Sequence, residues 1–164
     1  YGDIERGFHV ETDILKPSNP YSASKAAADM LIFAWARTYN LRYLILRPTN
    51  NYGIGQYPEK LIPLAIKLAR RGKKIRLHDE GSPIRNWLHS EQKNVDTVSK
   101  VLECYFGETR DWSAYLDLSH VREGQDIRYA LNDDKLRSLG WEPKKKFDQE
   151  IEEIVEYYKQ NFKW

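Results

Sequence analysis

The sequence predicts an α/β protein in which helices alternate with short strands. A helical segment over residues 19–39 is followed directly by the apolar, β-rich stretch Arg42–Arg47, and a helix leading into a buried strand is half of a β–α–β unit. Further amphipathic helices and short extended stretches alternate after residue 58. The 164 residues are 41% hydrophobic, which is enough for the core of one domain.

The first helix is predicted to begin after Asn19, a good N-cap, with Pro20 at the first helical position, and to run to about Tyr39. Tyr21 and Lys25 lie four residues apart and therefore share one helix face. An ammonium near a phenol favours the phenolate, which can accept a proton from an alcohol. An exposed Tyr and an exposed Lys with no joint role are the alternative, since the chain contains 11 Tyr.

The segments on either side of this helix read as a loop, a strand and a second loop. Residues 1–16 have the scattered acids and glycines of a loop, and Arg42–Arg47 is predicted to be a buried strand. Pro48–Pro58 is rich in turn residues. Because it follows the carboxyl end of a strand in an α/β protein, it is placed where ligands bind.

The rest of the chain is predicted to contain four helices and three short extended segments. The helices are expected at Glu59–Arg71, Asn94–Phe106, Asn132–Gly140 and Asp148–Phe162, and the extended segments at Ile75–His78, Ile84–His89 and Ala114–Leu118. The only cysteine, Cys104, lies on an apolar helical stretch and is expected to be a buried structural thiol.

Composition narrows the classes of partner. The 26 basic and 24 acidic residues are well mixed, which does not favour nucleic acid. A mean hydropathy of −0.72 without a long apolar run predicts no membrane span. With no signal-peptide pattern and a single Cys, we expect a cytoplasmic protein. His9 and His120 lack metal-ligand spacing, so we expect surface histidines and no metal site.

Several blocks together resemble the extended short-chain dehydrogenase/reductase family, in particular the C-terminal half of nucleotide-sugar 4,6-dehydratases of the dTDP-glucose type. The matching blocks are Asn19–Lys25, Asn50–Gly53, Pro58–Pro63, Ile84–His89, Arg128–Ala130 and Leu139–Trp141. The resemblance implies the C-terminal part of a Rossmann-like doubly wound parallel sheet and a smaller α/β substrate-binding region. Residues 1–53 would end the NAD-binding domain, and residues 54–164 would mainly form the nucleotide-sugar-binding domain.

The resemblance also implies a reaction. Family members bind NAD tightly, oxidise the C4 hydroxyl of the glucose, lose water across C5–C6 and return the hydride to C6. It implies that Tyr21 is the base at C4 and that Lys25 binds the nicotinamide ribose and assists Tyr21. Asn51 would lie on the cofactor side of the pocket.

A larger set of residues is implied to bind the nucleotide sugar. Asn50 would contact the substrate, Arg85 would pair with the diphosphate through its guanidinium fork, and the others would border the nucleotide, the base or the same diphosphate. Those others are Lys60, Leu61, Arg76, Leu77, His78, Arg122 and Gln125. The structural alternatives are turn residues for Asn50 and Asn51, the surface and core of an ordinary helix for Lys60 and Leu61, and an edge strand for Arg76–His78. For Arg85 the alternative is a structural ion pair, and for Arg122 and Gln125 it is a solvated loop.

The sequence departs from the family in four places. It contains no Gly-rich dinucleotide loop, and the acid pair that eliminates water, expected just before Tyr1, is absent. Glu91 runs directly into Gln92, where the family carries a few tens of further residues. Glu123 and Gln125 stand where the family has Pro and His.

These departures suggest that segments are missing before residue 1 and between residues 91 and 92. We expect a part of a longer enzyme rather than a truncated natural or engineered fragment, because a fragment would expose a large apolar sheet edge. An intact mass near 19.4 kDa would contradict this expectation.

Two other functions remain open. A nucleotide-sugar 4-epimerase of the same superfamily shares Tyr21 and Lys25 but needs no acid for loss of the C6 hydroxyl. A non-catalytic fragment that binds a nucleotide sugar is the alternative from another class. Family members pair through the first helix, and the apolar run from Met30 to Trp35 is consistent with such a homodimer.

Overall fold

A computed structural model describes residues 1–87 and 90–161 as an arrangement of helices and short strands. The helices are α1 (Pro20–Tyr39), α2 (Leu61–Arg70), α3 (Asn94–Phe106), α4 (Asp134–Ser138) and α5 (Phe147–Asn161). The strands are β1 (Ile75–His78), β2 (Ile84–Trp87), β3 (Ser90–Lys93), β4 (Leu116–His120) and β5 (Arg128–Tyr129). Three predicted positions, Leu88, His89 and Phe162, lie outside the described residues.

Helix α1 begins and ends where the sequence predicts. Asn19 has an extended backbone, and its side-chain Oδ1 accepts a hydrogen bond from the Ser22 amide at 2.9 Å. At the other end Asn40 adopts the left-handed conformation (φ 53°), and its amide donates to the Ala36 carbonyl. Local capping chemistry therefore sets both ends.

No residue of α1 is buried by the described part of the chain. Leu31 is 62% exposed, Trp35 is 56% exposed and Met30 is 50% exposed. The helix is attached instead by polar contacts, among them the ion pair between Arg47 Nε and Asp29 Oδ2 at 2.7 Å. Its apolar residues are available to a partner.

The prediction of a buried strand over Arg42–Arg47 is wrong for this structure. The stretch forms no strand, and Leu44 and Leu46 are 82% and 73% exposed. A strand needs a hydrogen-bonded neighbour, and none of the described segments pairs with this stretch. The apolar side chains of Arg42–Arg47 therefore form a surface that the described residues leave exposed.

The strands form two small sheets. In the first, β1 pairs in parallel with β4, so that His78 lies beside His120. In the second, β2 lies between β3, which is antiparallel, and β5, which is parallel. Strand β4 begins two residues later than predicted because a 3₁₀ turn occupies Ser113–Tyr115.

The core lies between α2, α3, α5 and the first sheet. Each helix contributes an apolar stripe, and burying one Val, Leu or Ile side chain contributes about 1.5–3 kcal/mol. The fully buried members of this core include Ile62, Ile66, Ile75, Val98, Val101, Leu102, Ile151, Val155 and Tyr158. None of the helices within the described ranges is long and apolar enough to cross a membrane.

Two smaller predictions need correction. His9 is not a surface residue, because its ring stacks on Tyr1 with centroids 5.0 Å apart and its Nδ1 lies 2.9 Å from Asp13 Oδ2. Cys104 is half-buried rather than buried, since it sits at the edge of the α3–α5 contact.

Candidate functional site

The first part of the site is the exposed face at the start of α1. The Lys25 Nζ lies 5.4 Å from the centroid of the Tyr21 ring. Tyr21 is 71% exposed, and no ion pair joins Lys25 to an acidic group in the described part of the chain. The phenol and the ammonium are therefore adjacent and open to a ligand.

The second part is formed by Asn50 and the strands β2 and β5. The Asn50 amide donates to the Asn86 carbonyl of β2 at 3.0 Å. The Asn50 side-chain Oδ1 accepts a hydrogen bond from the Tyr129 hydroxyl of β5 at 2.5 Å. Both contacts hold Asn50 beside the end of the second sheet.

Arg85 supplies a half-buried positive charge to the same place. Its Cζ lies 4.9 Å from the centroid of the Tyr129 ring, and its Nη1 donates to the carbonyl of the preceding residue, Ile84, at 3.0 Å. Burial lowers the pKa of Arg85, an effect that Tyr129 and the nearby Asp126 oppose. No carboxylate of the described residues forms a direct ion pair with it, so a bound anion would be favoured here.

Sequence reasoning missed Tyr129. Tyr129 lies within the Arg128–Ala130 block, but no local pattern indicates that β5 pairs in parallel with β2 and places Tyr129 directly beside Arg85. Burial raises the pKa of Tyr129, against the opposing effects of Arg85 and Asn50. At neutral pH the side chain is therefore a neutral hydroxyl that donates a hydrogen bond.

The loop of residues 121–127 joins the two parts. Asn19 Nδ2 donates to the Gly124 carbonyl at 3.2 Å, and the Ser18 hydroxyl donates to Asp126. A Cβ on Gly124 would lie 3.3 Å from the Ser18 carbonyl, so the loop and the start of α1 are in close contact. Arg122, in this loop, is near enough for its charge to act on Arg85.

The structure thus brings several predicted residues together. Asn50, Arg85 and Arg122 share one region, and Gln125 lies in the loop that contacts Ser18 and Asn19 just before α1. The Gln125 amide donates to the Arg122 carbonyl at 3.4 Å, which closes the turn of that loop.

The remaining predicted residues lie on other elements. Leu77 is 2% exposed in the core, so its side chain faces away from any ligand. Arg76 lies 3.9 Å from Asp117, and the His78 ring lies 6.5 Å from His120. Arg76, Leu77 and His78 all belong to the first sheet. That their backbone groups border the nucleotide base stays a prediction.

Three other predicted residues flank α2 and the loop before it. Lys60 is the N-cap residue of α2 and pairs with Glu59 at 3.1 Å. Leu61, the first residue of α2, packs partly against the core. Asn51 is exposed, and its carbonyl accepts a hydrogen bond from the Gln56 side chain at 2.7 Å.

Helix α5 holds the loop that follows Asn50. The Tyr52 hydroxyl donates to Glu150 Oε2 at 2.5 Å, and the Gly55 amide donates to the Tyr158 hydroxyl at 3.0 Å. These two hydrogen bonds therefore attach the loop that carries Asn50 to the core.

The residues fit one part of a dinucleotide. Tyr21 and Lys25 present a hydroxyl and an ammonium side by side, as contact with a ribose and a reacting alcohol requires. The Gly-rich loop that would hold the dinucleotide phosphates is absent from the sequence. Across residues 1–87 and 90–161, no cluster of three or more His, Cys, Asp or Glu could hold a metal ion.

Comparison with known proteins gives a consistent result. A sequence model of the "NAD dependent epimerase/dehydratase family" matches residues 1–103. The chain is 36% identical to dTDP-glucose 4,6-dehydratase 1 of Escherichia coli (strain K12) over 204 residues, which cover 100% of this chain and 56% of that protein.

Two solved dTDP-glucose 4,6-dehydratases share the fold. The Bacillus anthracis enzyme in complex with NAD is 35% identical, with a TM-score of 0.87 over 99% of this chain and 60% of that chain. The Streptomyces venezuelae enzyme, also with NAD bound, is 32% identical, with a TM-score of 0.89 over 98% of this chain and 57% of that chain. The Rossmann-like α/β class is confirmed, and the chain spans a little over half the length of these relatives.

Proposed function

Because the chain belongs to the NAD dependent epimerase/dehydratase family, we propose that the protein dehydrates dTDP- or UDP-glucose to the 4-keto-6-deoxy sugar. One observation carries the proposal. The Tyr21–Lys25 pair on α1 and Arg85, which forms no ion pair with a carboxylate of the described residues, are linked by the loop that docks on Asn19.

In this proposal Tyr21 accepts the proton of the C4 hydroxyl. Before this step Lys25 would stabilise, by its charge, the phenolate form of Tyr21 that accepts the proton. Lys25 would also bind a ribose hydroxyl of NAD, with Asn51 on the same side. NAD supplies hydride acceptance and return when it is bound. The exposure of Tyr21 and Lys25 supports these roles, because both must touch ligands.

The nucleotide sugar would extend from Tyr21 towards the second sheet. Arg85 and Arg122 would bind the diphosphate, because no carboxylate of the described residues forms an ion pair with Arg85 and the charge of Arg122 acts on it. Asn50 would contact the sugar, and Gln125 would lie next to the diphosphate. Lys60, Leu61 and Arg76–His78 would border the nucleotide.

The proposed dehydration also needs an acid at the C6 hydroxyl and a base at C5. The resemblance gives this step to an acid pair that the sequence does not contain.

We also propose that two copies pair through α1, whose exposed Leu31 and Trp35 would then be covered. Light scattering that shows a monomer would contradict the pairing.

The test is an activity assay of the protein with NAD and either dTDP-glucose or UDP-glucose. The expected result is the alkali-induced absorbance of a 4-keto-6-deoxy sugar with one donor, lost in Tyr21→Phe. Tyr39→Phe is the matched control, because Tyr39 is an exposed tyrosine at the other end of the same helix. Equal loss in both variants would contradict a role for Tyr21 as base.

A nucleotide-sugar 4-epimerase is the second candidate, and the Tyr21–Lys25 pair together with the family description supports it. Interconversion of the glucose and galactose configurations, without a 4-keto product, would favour it. Binding of the nucleotide sugar without turnover of either kind would favour a non-catalytic protein.

A further inference from the structure

Tyr129 contacts both of the residues that would hold the sugar and the diphosphate of the substrate. The chain separates it from Asn50 by 79 residues, yet its hydroxyl donates to Asn50 Oδ1 at 2.5 Å. The parallel pairing of β2 and β5 sets it directly beside Arg85. One half-buried side chain thus connects the sugar side and the diphosphate side of the site.

The ring of Tyr129 sets the position of Arg85. The guanidinium carbon lies 4.9 Å from the ring centroid, within the range of a cation–π contact. The hydrogen bond from Nη1 to the Ile84 carbonyl fixes one end of the guanidinium, and the Tyr129 ring packs against its face. No hydrogen bond from the other N–H donors of the fork is made to residues 1–87 or 90–161, so these donors could bind an anion.

The hydroxyl of Tyr129 sets the orientation of Asn50. An amide has one accepting end and one donating end, and the hydroxyl occupies the accepting end. The Nδ2 group of Asn50 is therefore the end that would donate to a sugar hydroxyl or a phosphate oxygen. Because burial raises the pKa of Tyr129, the hydroxyl keeps its proton and this orientation across neutral pH.

We propose that Tyr129 is a positioning residue that orients Asn50 towards the sugar and Arg85 towards the diphosphate of a bound nucleotide sugar. The inference rests on the proposed function, and it adds a residue to which no role in the reaction has been given. Tyr129 would not react with the substrate. It would act through the two side chains that do contact the substrate.

Two substitutions separate the two contacts. Tyr129→Phe keeps the ring under Arg85 and removes the hydroxyl from Asn50. Tyr129→Leu removes both contacts. Tyr115 offers a matched control outside the site, because its hydroxyl accepts from Arg110 Nη2 at 2.9 Å and the Arg110 guanidinium lies 5.3 Å from its ring centroid.

The experiment measures binding of dTDP, UDP and their glucose esters to the unaltered protein and to Tyr129→Phe, Tyr129→Leu and Tyr115→Leu, by titration calorimetry. Tyr129→Phe should bind the diphosphates within about twofold of the unaltered protein but the glucose esters about fivefold more weakly, with a lower kcat. Tyr129→Leu should weaken the diphosphates themselves by about tenfold. Tyr115→Leu should leave all Kd values unchanged.

The outcomes separate the two proposals. If the unaltered protein binds neither diphosphate, the proposed function fails and this inference fails with it. If it binds one of them and Tyr129→Phe binds the glucose ester normally, the positioning role is overturned while the proposed function stands. If Tyr129→Leu does not fold, Tyr129→Phe still decides between the outcomes.

Discussion

The side-chain amide of Asn19 donates to the main-chain carbonyl of Gly124 at 3.2 Å, while its oxygen caps α1 through the Ser22 amide at 2.9 Å. One residue therefore both starts the helix that carries Tyr21 and fixes the loop that carries Arg122. This amide side chain acts together with the hydrogen bond from the Ser18 hydroxyl to Asp126 in placing the loop against the start of α1.

Substitution of Asn19 should separate these two roles. Asn19→Asp keeps an oxygen that can cap the helix but loses the N–H donor to Gly124, so helix stability should change by less than about 0.5 kcal/mol. Asn19→Ala loses the cap as well and should cost about 1 kcal/mol. Urea unfolding followed by circular dichroism measures both. Equal destabilisation by the two variants would show that the cap is not what stabilises α1.

A side chain at Gly124 should disturb the same contact. Gly124 has a φ of +66°, and an added Cβ would lie 3.3 Å from the Ser18 carbonyl. Gly107 is the matched control, with a φ of +73° and no atom within 4 Å of an added Cβ. Gly107→Ala should cost about 1 kcal/mol from backbone strain alone, and Gly124→Ala should cost more. Equal losses in thermal or urea unfolding would argue against a tight loop–helix contact.

Arg128 should contribute more to stability than an exposed arginine. Its Nη2 lies 2.8 Å from Glu91 Oε1, its Nη1 donates to the carbonyls of Ile4 and Gly7, and its side chain is only 14% exposed. Arg128→Lys loses the planar fork and should cost about 2 kcal/mol.

The control for this prediction is Arg137→Lys on α4. Arg137 Nε lies 2.9 Å from Asp133 Oδ1, and the Arg137 side chain is 46% exposed. Arg137→Lys should lower the free energy of unfolding by less than about 0.5 kcal/mol in the same experiment. Similar costs for the two variants would mean that the Arg128 contacts do not form as a unit.

The contact of Tyr52 with Glu150 should appear as a pH dependence. Burial, followed by the hydrogen bond and charge of Glu150, raises the pKa of Tyr52 above its ordinary value of 10.0. The folded state therefore keeps this proton to a higher pH than the unfolded state. The resulting stability is fully present below pH 10 and is lost as the pH rises further.

This pH dependence is measured by comparing the unaltered protein with the variant Tyr52→Phe. The unfolding free energy of the unaltered protein should fall more steeply between about pH 9.5 and 11 than that of Tyr52→Phe, which removes only this ionisable group. Other tyrosines and lysines titrate in both proteins and cancel. Parallel curves would show that Tyr52 ionises equally in the folded and unfolded states.

The sequence by itself determined the features that depend on neighbouring residues. Asn19 and Asn40 set the ends of α1 through local caps, and the apolar stripes of α2, α3 and α5 predicted their buried faces. The Tyr21–Lys25 spacing placed both side chains on one helix face before any fold was known. Resemblance at short blocks added the remaining candidate residues.

Only the tertiary structure decided what depends on distant pairing. The strand expected at Arg42–Arg47 did not form, because a strand needs a partner and an apolar sequence cannot supply one. His9 is half-buried because Tyr1 stacks on its ring and Asp13 contacts its Nδ1. Tyr129 meets Arg85 through strand pairing and Asn50 through a side-chain hydrogen bond. These segments are far apart in the chain, and no local pattern encodes which segments will meet.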